Sequence, residues 1–470
     1  MDVRFSTGGG DGIAVTLAFS DRGLPETLKA AAEARGFTGK ADETVDLVVA
    51  DGAVARRALL IGGGPQADFT PVAATAAGRH LSAIAGLGGQ ALDVRGVPDA
   101  VVAAFAFGVL DGAYRDDRYK TAPPTPLAPA ALTMIVDAPD ACTADFAAMP
   151  ALAEGIAAAR DLANAPPNRM TPPLFADWCR ALAIPGLDVE VLDAEALAAL
   201  GMGALIGVGQ GSAAPPCVVV LRWSARGGEA PLAFIGKGVT FDSGGLLPKP
   251  AEEMWDMKYD RAGAAAVVGA MIALARRNAA VDAVGIIGLA ENMPSGAAQR
   301  PGDVVVSHSG QTIEVLHTDA EGRLLLCDLL SYARARFKPS ALIDIATLTG
   351  GLTSVLTDQY AGLYANDDAL AASLTETGEA CGERLWRLPL GEAFDRMIDS
   401  PVADMQNICK VRWGGTVTAA QFLKRFVGDT PWAHLDIFGP AWNHGAKGRH
   451  GATGYGVRLL AAIAERQAAQ

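Results

Sequence analysis

Residues 232–250 read LAFIGKGVTFDSGGLLPKP, and this stretch decides the fold. LAFIGKG (232–238) is an apolar run that reads as a strand closed by Lys237, and Asp242 and Lys249 follow in a glycine-rich loop. MKYDRAGAAAVVGA (257–270) then places Asp260 just before a helix expected over 262–278, and AVGIIGLA (283–290) is the next strand. Working outward, CVVVLRW (217–223), TIEVLH (312–317), ALIDIATL (341–348) and AHLDIF (433–438) are further strands. Helices are expected over 322–336, 417–427 and 454–467. The first of these carries Leu325, Leu326, Leu329, Leu330 and Ala333 as a core-facing stripe at helical spacing. The class is α/β, with a mixed, largely parallel central sheet covered by helices. In such sheets, sites form in the loops at the carboxyl ends of strands.

The chain has 470 residues, too many for one ordinary core. In its first 150 residues short apolar runs alternate with alanine-rich stretches, which predicts a smaller N-terminal α/β domain. Its strands are VDLVVA (45–50), ALLIGG (58–63), ALDVRG (91–96) and ALTMIVDA (131–138), and its helices cover 71–86 and 98–112. TAPPTPLAPA (121–130) is a proline-rich surface connection, and a helix over 143–164 ends near NAPPN. The expected division is 1–150, a linker helix and junction at 151–170, and a larger domain over 171–470.

Half of the residues are hydrophobic, which excludes a disordered or fibrous chain. No apolar stretch approaches the roughly 20 residues of a membrane span, and the start has no secretory pattern. The cysteines lie far apart with no CxxC pair, so neither a disulfide framework nor a thiolate zinc site is expected, and a reducing cytoplasm fits. A net charge of −13 argues against general nucleic-acid affinity.

HTDAEGRLLLCDLL (317–330) offers Asp319, Glu321 and Arg323 at i, i+2 and i+4. In an extended segment this spacing points all three to one face, and the small Ala320 and Gly322 between them admit another chain segment. Four carboxylates aimed at one volume repel and raise one another's pKa values, and divalent cations resolve this. Oxygen-rich ligation suits Mn²⁺, Mg²⁺ or Zn²⁺, and a lysine joins such a site only as the neutral amine. The residues alone leave a second reading open. Each acid and lysine is also compatible with a solvated loop or an ion pair, and TDAEGR with a helix cap started by Thr318 or Asp319. The remaining histidines form no HExxH pair, and His434 in WAHLDIF reads as a satisfied core residue. GVGQG (207–211) and GGG (62–64) lack the dinucleotide fingerprint, GKG lacks the Ser/Thr of a P-loop, and Ser243 has no GxSxG context.

Taken together, GKGVTFDSGG…KP, MKYDRAGAA and HTDAEGRL resemble, in order and spacing, the leucyl (cytosol) aminopeptidase family of two-metal exopeptidases. RDLANAPPNRMTP (160–172), LGMGALIGVGQGSAAPP (200–216), ATLTGG (346–351), PWAHLDIFGPAW (431–442) and GATGYGVRLL (451–460) extend the resemblance. The N-terminal part matches weakly except near YRDDRYKT (114–121). The resemblance makes 171–470 the catalytic domain and 1–150 a variable domain for assembly or regulation. It implies hydrolysis of N-terminal, preferably apolar, leucine-like residues through a hydroxide bridging two metals. One metal is expected on Lys237, Asp242, Asp260 and Glu321, the other on Asp242, Asp319 and Glu321. Lys249 is expected to hold the developing oxyanion, and Arg323 a bicarbonate that serves as general base. Met257, Thr347, Gly350 and Ala452 sit where the family lines its pocket for the first side chain. Implied cofactors are two divalent ions, Mn²⁺ or Zn²⁺ with Mg²⁺ as a further option. Implied partners are peptide substrates and five more copies of the chain in a cytoplasmic homohexamer, a dimer of trimers; the apolar patterning and the net charge of −13 argue against a membrane and against nucleic acid as partners. The alternative function is a DNA-binding or scaffold role of the hexamer with reduced or no peptidase activity.

Three positions depart from the family pattern. His317 stands where the family usually has Asn, and either hydrogen-bonds a ligand or adds a titrating group. Arg261 replaces a common Met and is expected to point to solvent. NICKVRWGG (407–415) lacks the usual glycine-rich form.

Overall fold

The computed structural model describes the whole chain except residues 25, 52–53, 85, 123–127, 228–229, 412, 446–449 and 469–470. The chain divides into two compact units, Met1–Ala153 and Glu154–Gln470. Among the described residues no helix is long and apolar enough to cross a membrane.

Among its described residues the first unit has six strands: β1 (Asp2–Ser6), β2 (Ile13–Ala18), β3 (Thr44–Asp51), β4 (Val54–Gly62), β5 (Ala91–Arg95) and β6 (Ala131–Ile135). Their order is β1-β6-β5-β2-β4-β3, parallel except for the β3–β4 pair. Helices Pro71–Ala83 and Asp99–Gly112 belong to this unit. They approach so closely that a Cβ on Gly78 would lie 2.2 Å from the carbonyl oxygen of Phe105. β1 and β2 went unread in the sequence because they are short and carry polar or glycine-rich flanks. Half of the proline-rich connection, residues 123–127, lies outside the described residues.

The helix expected over 143–164 is two helices, Pro139–Phe146 and Met149–Asn164, broken at residues 147–148. Pro150 explains the restart, since proline is accepted in a first helical turn and not in a helix interior.

The second unit is built on an eight-stranded sheet. Its strands are β7 (Leu187–Leu192), β8 (Cys217–Ser224), β9 (Leu232–Asp242), β10 (Asp282–Asn292), β13 (Ala341–Ala346), β14 (Ala361–Ala365), β15 (Leu385–Arg387) and β17 (Trp432–Asp436). The short β11 (Val304–Val306), β12 (Thr312–Glu314) and β16 (Met405–Gln406) form a small sheet, and β18 (Trp442–His444) and β19 (His450–Ala452) a hairpin. The large sheet runs β15-β14-β17-β13-β9-β10-β8-β7, and its centre, β17 to β10, is parallel. β9 is therefore paired on both edges and covered on both faces. That is why LAFIG is a continuous apolar run and not an alternating one.

Helix Ala262–Arg276 lies almost wholly inside the protein, with Ala262 through Ala275 buried. Its small residues are what permit this. A Cβ on Gly236 would meet the Cα of Ala264 at 2.6 Å, and one on Gly263 would meet the carbonyl oxygen of Ile345 at 2.2 Å. Helix Glu321–Phe337 lies against the main core, with Leu325, Leu326, Leu329, Leu330 and Ala333 fully buried as their spacing predicts. Each such leucine contributes roughly 1.5–3 kcal/mol. The strand expected over 312–317 is only three residues long, because the chain leaves β12 at Val315 to carry Asp319 inward.

Candidate metal centre

Every acid singled out in the sequence lies at the carboxyl edge of the parallel strands. Lys237 and Asp242 are on the last half of β9, Asn292 ends β10, and Thr347 directly follows β13. A separation of five residues would normally send Lys237 and Asp242 to opposite faces of a strand. β9 corrects the parity with one extra residue. Its register with β10 runs Val239↔Ala290 and then Phe241↔Glu291, leaving Thr240 as the inserted position.

The expectation that Asp319, Glu321 and Arg323 lie on an extended segment is wrong. Asp319 sits in a turn, whereas Glu321 and Arg323 belong to the first turn of helix Glu321–Phe337. The helix is not capped by Thr318 or Asp319 either. Its N-cap is Ala320, with no side-chain cap. Thr318 is committed elsewhere: its hydroxyl donates to the Gly244 carbonyl at 2.7 Å and accepts from the Leu247 amide. Gly322 gives Lys237 its path, since a Cβ there would lie 2.7 Å from Lys237 Cε.

Asp242, Asp319 and Glu321 each bring one oxygen within 4.8 Å of the other two. Lys237 Nζ lies 2.8 Å from both Asp260 Oδ1 and Glu321 Oε1. Lys249 Nζ bridges Asp242 Oδ2 at 2.8 Å and Asp319 Oδ1 at 2.5 Å. Lys237, Asp242, Asp260 and Glu321 are buried, and Asp319 and Lys249 form the more open side.

Burial pushes Asp242 up to about 7, with the Glu321 charge adding and Lys249 subtracting. Burial also raises Asp260 well above the usual carboxylate range, against the pull of Lys237, and raises Asp319, with Glu321 adding. In Glu321 burial is outweighed by Lys237 and Lys249, so its carboxyl is held low. The lysines show the converse: burial disfavours their charge, but the surrounding carboxylates hold both above their ordinary range.

Several residues position the cluster and were not singled out as such. Asn292 Nδ2 donates to Asp242 Oδ1 at 2.8 Å and to the Thr318 carbonyl at 3.0 Å. Gly244 and Gly245 follow Asp242 at φ of 89° and 66°, which only glycine adopts at no cost, and the Gly244 amide donates to Asp242 Oδ1. Thr347, expected in the substrate pocket, donates its hydroxyl to Asp260 Oδ1 at 2.7 Å, and its carbonyl accepts from Lys237. Asn407 clamps the other ligand loop. Its Oδ1 accepts from the Leu316 and His317 amides, its Nδ2 donates to the His317 carbonyl, and its own carbonyl accepts from Arg323 Nη1 at 2.7 Å. The departing segment 407–415 is thus tied to the centre by its first residue.

His317 accepts the Asp319 amide on Nδ1 at 3.2 Å, so it acts on the backbone of the cluster. Burial, then Arg323 and Lys249, lower its pKa and favour the neutral ring this bond needs. Arg261 does not reach solvent. It is fully buried and donates to the carbonyls of Met170, Thr240 and Ala165. A guanidinium offers donors in a fixed fork, and three convergent carbonyls outcompete water for it. His434 is a core residue whose Nδ1 lies 2.5 Å from Asp344 Oδ1, yet its Nε2 has no hydrogen-bond partner among the described residues.

Of the remaining pocket candidates, Met257 is buried in the short helical turn that carries Asp260, Gly350 is exposed beside the Phe438 ring, and Ala452 pairs with Trp442. Tyr259 links this region, stacking on Trp442 at 5.3 Å and meeting Phe438 edge-on. Burial lowers Arg323 to about 10.

The donor set fits divalent cations. The buried Asp260 Oδ2 has no hydrogen-bond partner among the described residues, Asp242, Asp319 and Glu321 each bring an oxygen within 4.8 Å of the other two, and Lys237 Nζ joins Asp260 to Glu321. Fold and site define the class: an α/β protein with an acidic, largely buried cluster suited to divalent metal at the carboxyl ends of parallel strands. The chain belongs to the cytosol aminopeptidase family, a family of hydrolases. The model of that family's catalytic domain matches residues 157–461, and that of its N-terminal domain matches residues 11–123. A probable cytosol aminopeptidase of Sinorhizobium fredii is 49% identical over 451 residues, covering 92% of this chain and 90% of that protein. The one from Allorhizobium ampelinum is 48% identical, covering 92% and 89%. Among solved structures, the bottromycin maturation enzyme BotP in complex with Mn matches with a TM-score of 0.87 at 37% identity, over 97% of this chain and 100% of that one.

Proposed function

We propose that this chain is a metal-dependent aminopeptidase that hydrolyses N-terminal residues, apolar leucine-like ones above all, from peptides. One observation carries the reading: a member of this family brings together the buried Asp242, Asp260 and Glu321 and the more open Asp319, with Lys237 and Lys249 inserted among them. Lys237, Asp242, Asp260 and Glu321 would hold one divalent ion, and Asp242, Asp319 and Glu321 a second. When bound, such a pair supplies Lewis acidity toward a peptide carbonyl and makes water a nucleophile near neutral pH. Mn²⁺ and Zn²⁺ both suit these donors, and the Mn of the BotP complex favours the first.

Lys249 lies on the more open side of the cluster, where its ammonium can hold the oxyanion that develops as the peptide carbonyl becomes tetrahedral. Arg323 would hold a bicarbonate, which would supply a general base toward water; its buried Nε has no hydrogen-bond partner among the described residues and suits an anion. Met257, Gly350 and Ala452 would line the pocket for the first side chain, and Thr347 would hold Asp260 through its hydroxyl. A cytoplasmic homohexamer, a dimer of trimers, completes the reading.

The test is hydrolysis of Leu-p-nitroanilide by metal-depleted protein resupplied with Mn²⁺ or Zn²⁺, beside its N-acetylated counterpart. Metal-dependent release from the free amine alone is expected. Equal cleavage of the blocked substrate would refute the aminopeptidase assignment. Lys249→Ala should retain metal and lose about 10²–10³-fold in kcat.

A further inference from the structure

Arg261 follows the ligand candidate Asp260, is fully buried, and donates to backbone carbonyls. The three carbonyls belong to two segments. Ala165 and Met170 bracket the short turn Pro167–Arg169 just past helix Met149–Asn164, where carbonyls at a helix end lack intrahelical donors and a cation is favoured. The third acceptor is Thr240, at 3.0 Å. Thr240 is the inserted residue of β9, and without that insertion Lys237 and Asp242 would face opposite sides of the sheet.

The neighbouring segment reaches farther. Asn164, immediately before Ala165, accepts the Ala452 amide at 2.8 Å, and a Cβ on Gly451 would strike its side chain at 2.6 Å. One guanidinium thus joins the Asp260 turn, the irregular point of β9, and the segment that holds the end of β19.

We infer that Arg261 is a positioning residue for the metal centre, holding the β9 insertion at Thr240 so that Lys237 and Asp242 converge with Asp260. It touches neither substrate nor metal and acts through the backbone. The inference rests on the proposed metal site, but its test separates from that proposal. A competing account makes the opposite prediction. If Arg261 acted only by its positive charge, removing it would tighten cation binding; if it acts by position, removing it loosens binding.

The experiment compares wild type, Arg261→Met and Arg261→Lys as full-length, metal-depleted proteins. Mn²⁺ affinity is measured by competition with a chromogenic chelator, and amide hydrogen exchange is followed over 237–242. Arg261→Met should bind Mn²⁺ about 10–100-fold more weakly, the range for residues that orient metal ligands. Exchange at Thr240–Asp242 should quicken, and with Leu-p-nitroanilide at saturating Mn²⁺ kcat should fall more than KM rises. Arg261→Lys, which keeps the charge but lacks the fork, should recover only part of the affinity. Equal or tighter Mn²⁺ binding by Arg261→Met overturns the inference, as does full recovery by lysine. If Arg261→Met does not fold, the lysine variant decides alone: affinity within twofold of wild type overturns the inference, and a clear loss in a folded protein supports it. Absence of Mn²⁺ binding by the wild type would overturn the proposed function itself, and with it this role.

Discussion

At the scale of single residues, the centre is governed by a conflict between burial and charge. Asp242, Asp260 and Asp319 are all pushed up by burial, and Lys237 is held protonated by the carboxylates around it. A metal must displace those protons, since carboxylates ligate as anions and lysine as the neutral amine. The sign follows: raising pH removes the competing protons, so cation affinity rises. Mn²⁺ affinity should therefore increase from pH 6 through 8, passing the Asp242 value of about 7, with protons released on binding. Calorimetric titration in two buffers of different ionisation enthalpy measures both quantities. Affinity that is flat or falls across this range would contradict the assignment. The acids could be singled out in the sequence because they fall in three short motifs at strand and helix ends, although the residues alone left an ion-pair reading open and the family resemblance was needed to favour a metal site. The residues that aim them could not be. Asn292, Thr347 and Asn407 act through hydrogen bonds across separations of 26 to 91 residues, and no local spacing reveals such partners. Arg261 was read as solvent-facing because arginine usually is, and only the convergence of three distant carbonyls reverses that prior.

At the scale of elements, close packing decides. Helix Ala262–Arg276 sits against the sheet because Gly236, Gly263 and its alanines leave no side chain between the two backbones. Gly263→Val would drive methyl groups into the Ile345 carbonyl and push the helix away from β13. Overpacking of this kind costs about 1–3 kcal/mol. Asp260 lies at the head of the same helix, so Mn²⁺ affinity should drop along with the melting temperature. Differential scanning calorimetry and chelator competition on the same preparation test this, and an unchanged melting temperature would refute the packing argument. Elements with one dominant period were found from sequence. Helix Glu321–Phe337 and strands β8, β9, β10, β13 and β17 are long apolar patterns that tertiary context reinforces. The start of Glu321–Phe337 was misread as extended, because alternation over five residues fits a strand and a turn entering a helix alike. The break at 147–148 is masked in the sequence by Ala147 and Ala148, which are good helix formers, although Pro150 just beyond them signals a new helix start.

At the scale of the whole molecule, the candidate site is assembled from segments spanning 237 to 407, within the second unit. Ligands contributed by so many elements make cation binding a contribution to global stability. A cation that binds the folded chain and not the unfolded one adds about 2.7 kcal/mol at 100 times Kd. Chelation should lower the melting temperature of the full chain by several degrees, and restoring Mn²⁺ should recover it. A melting temperature indifferent to metal at saturating concentration would count against a multi-element site.

What the sequence determined by itself was the α/β class and the family, and it singled out the four acids and two lysines that the fold brings together. Each rests on local pattern: apolar periodicity within one strand or helix, and reactive residues at fixed spacing inside one motif. Tertiary structure alone decided how those residues meet. The extra residue at Thr240 reverses the parity of β9, the helical first turn replaces an extended HTDAEGR, and Asn407 and Arg261 hold the loops in place. These depend on register between strands and on hydrogen bonds between distant carbonyls and side chains. The free energy of such contacts exists only once the chain has closed on itself, so no window of sequence carries their signal.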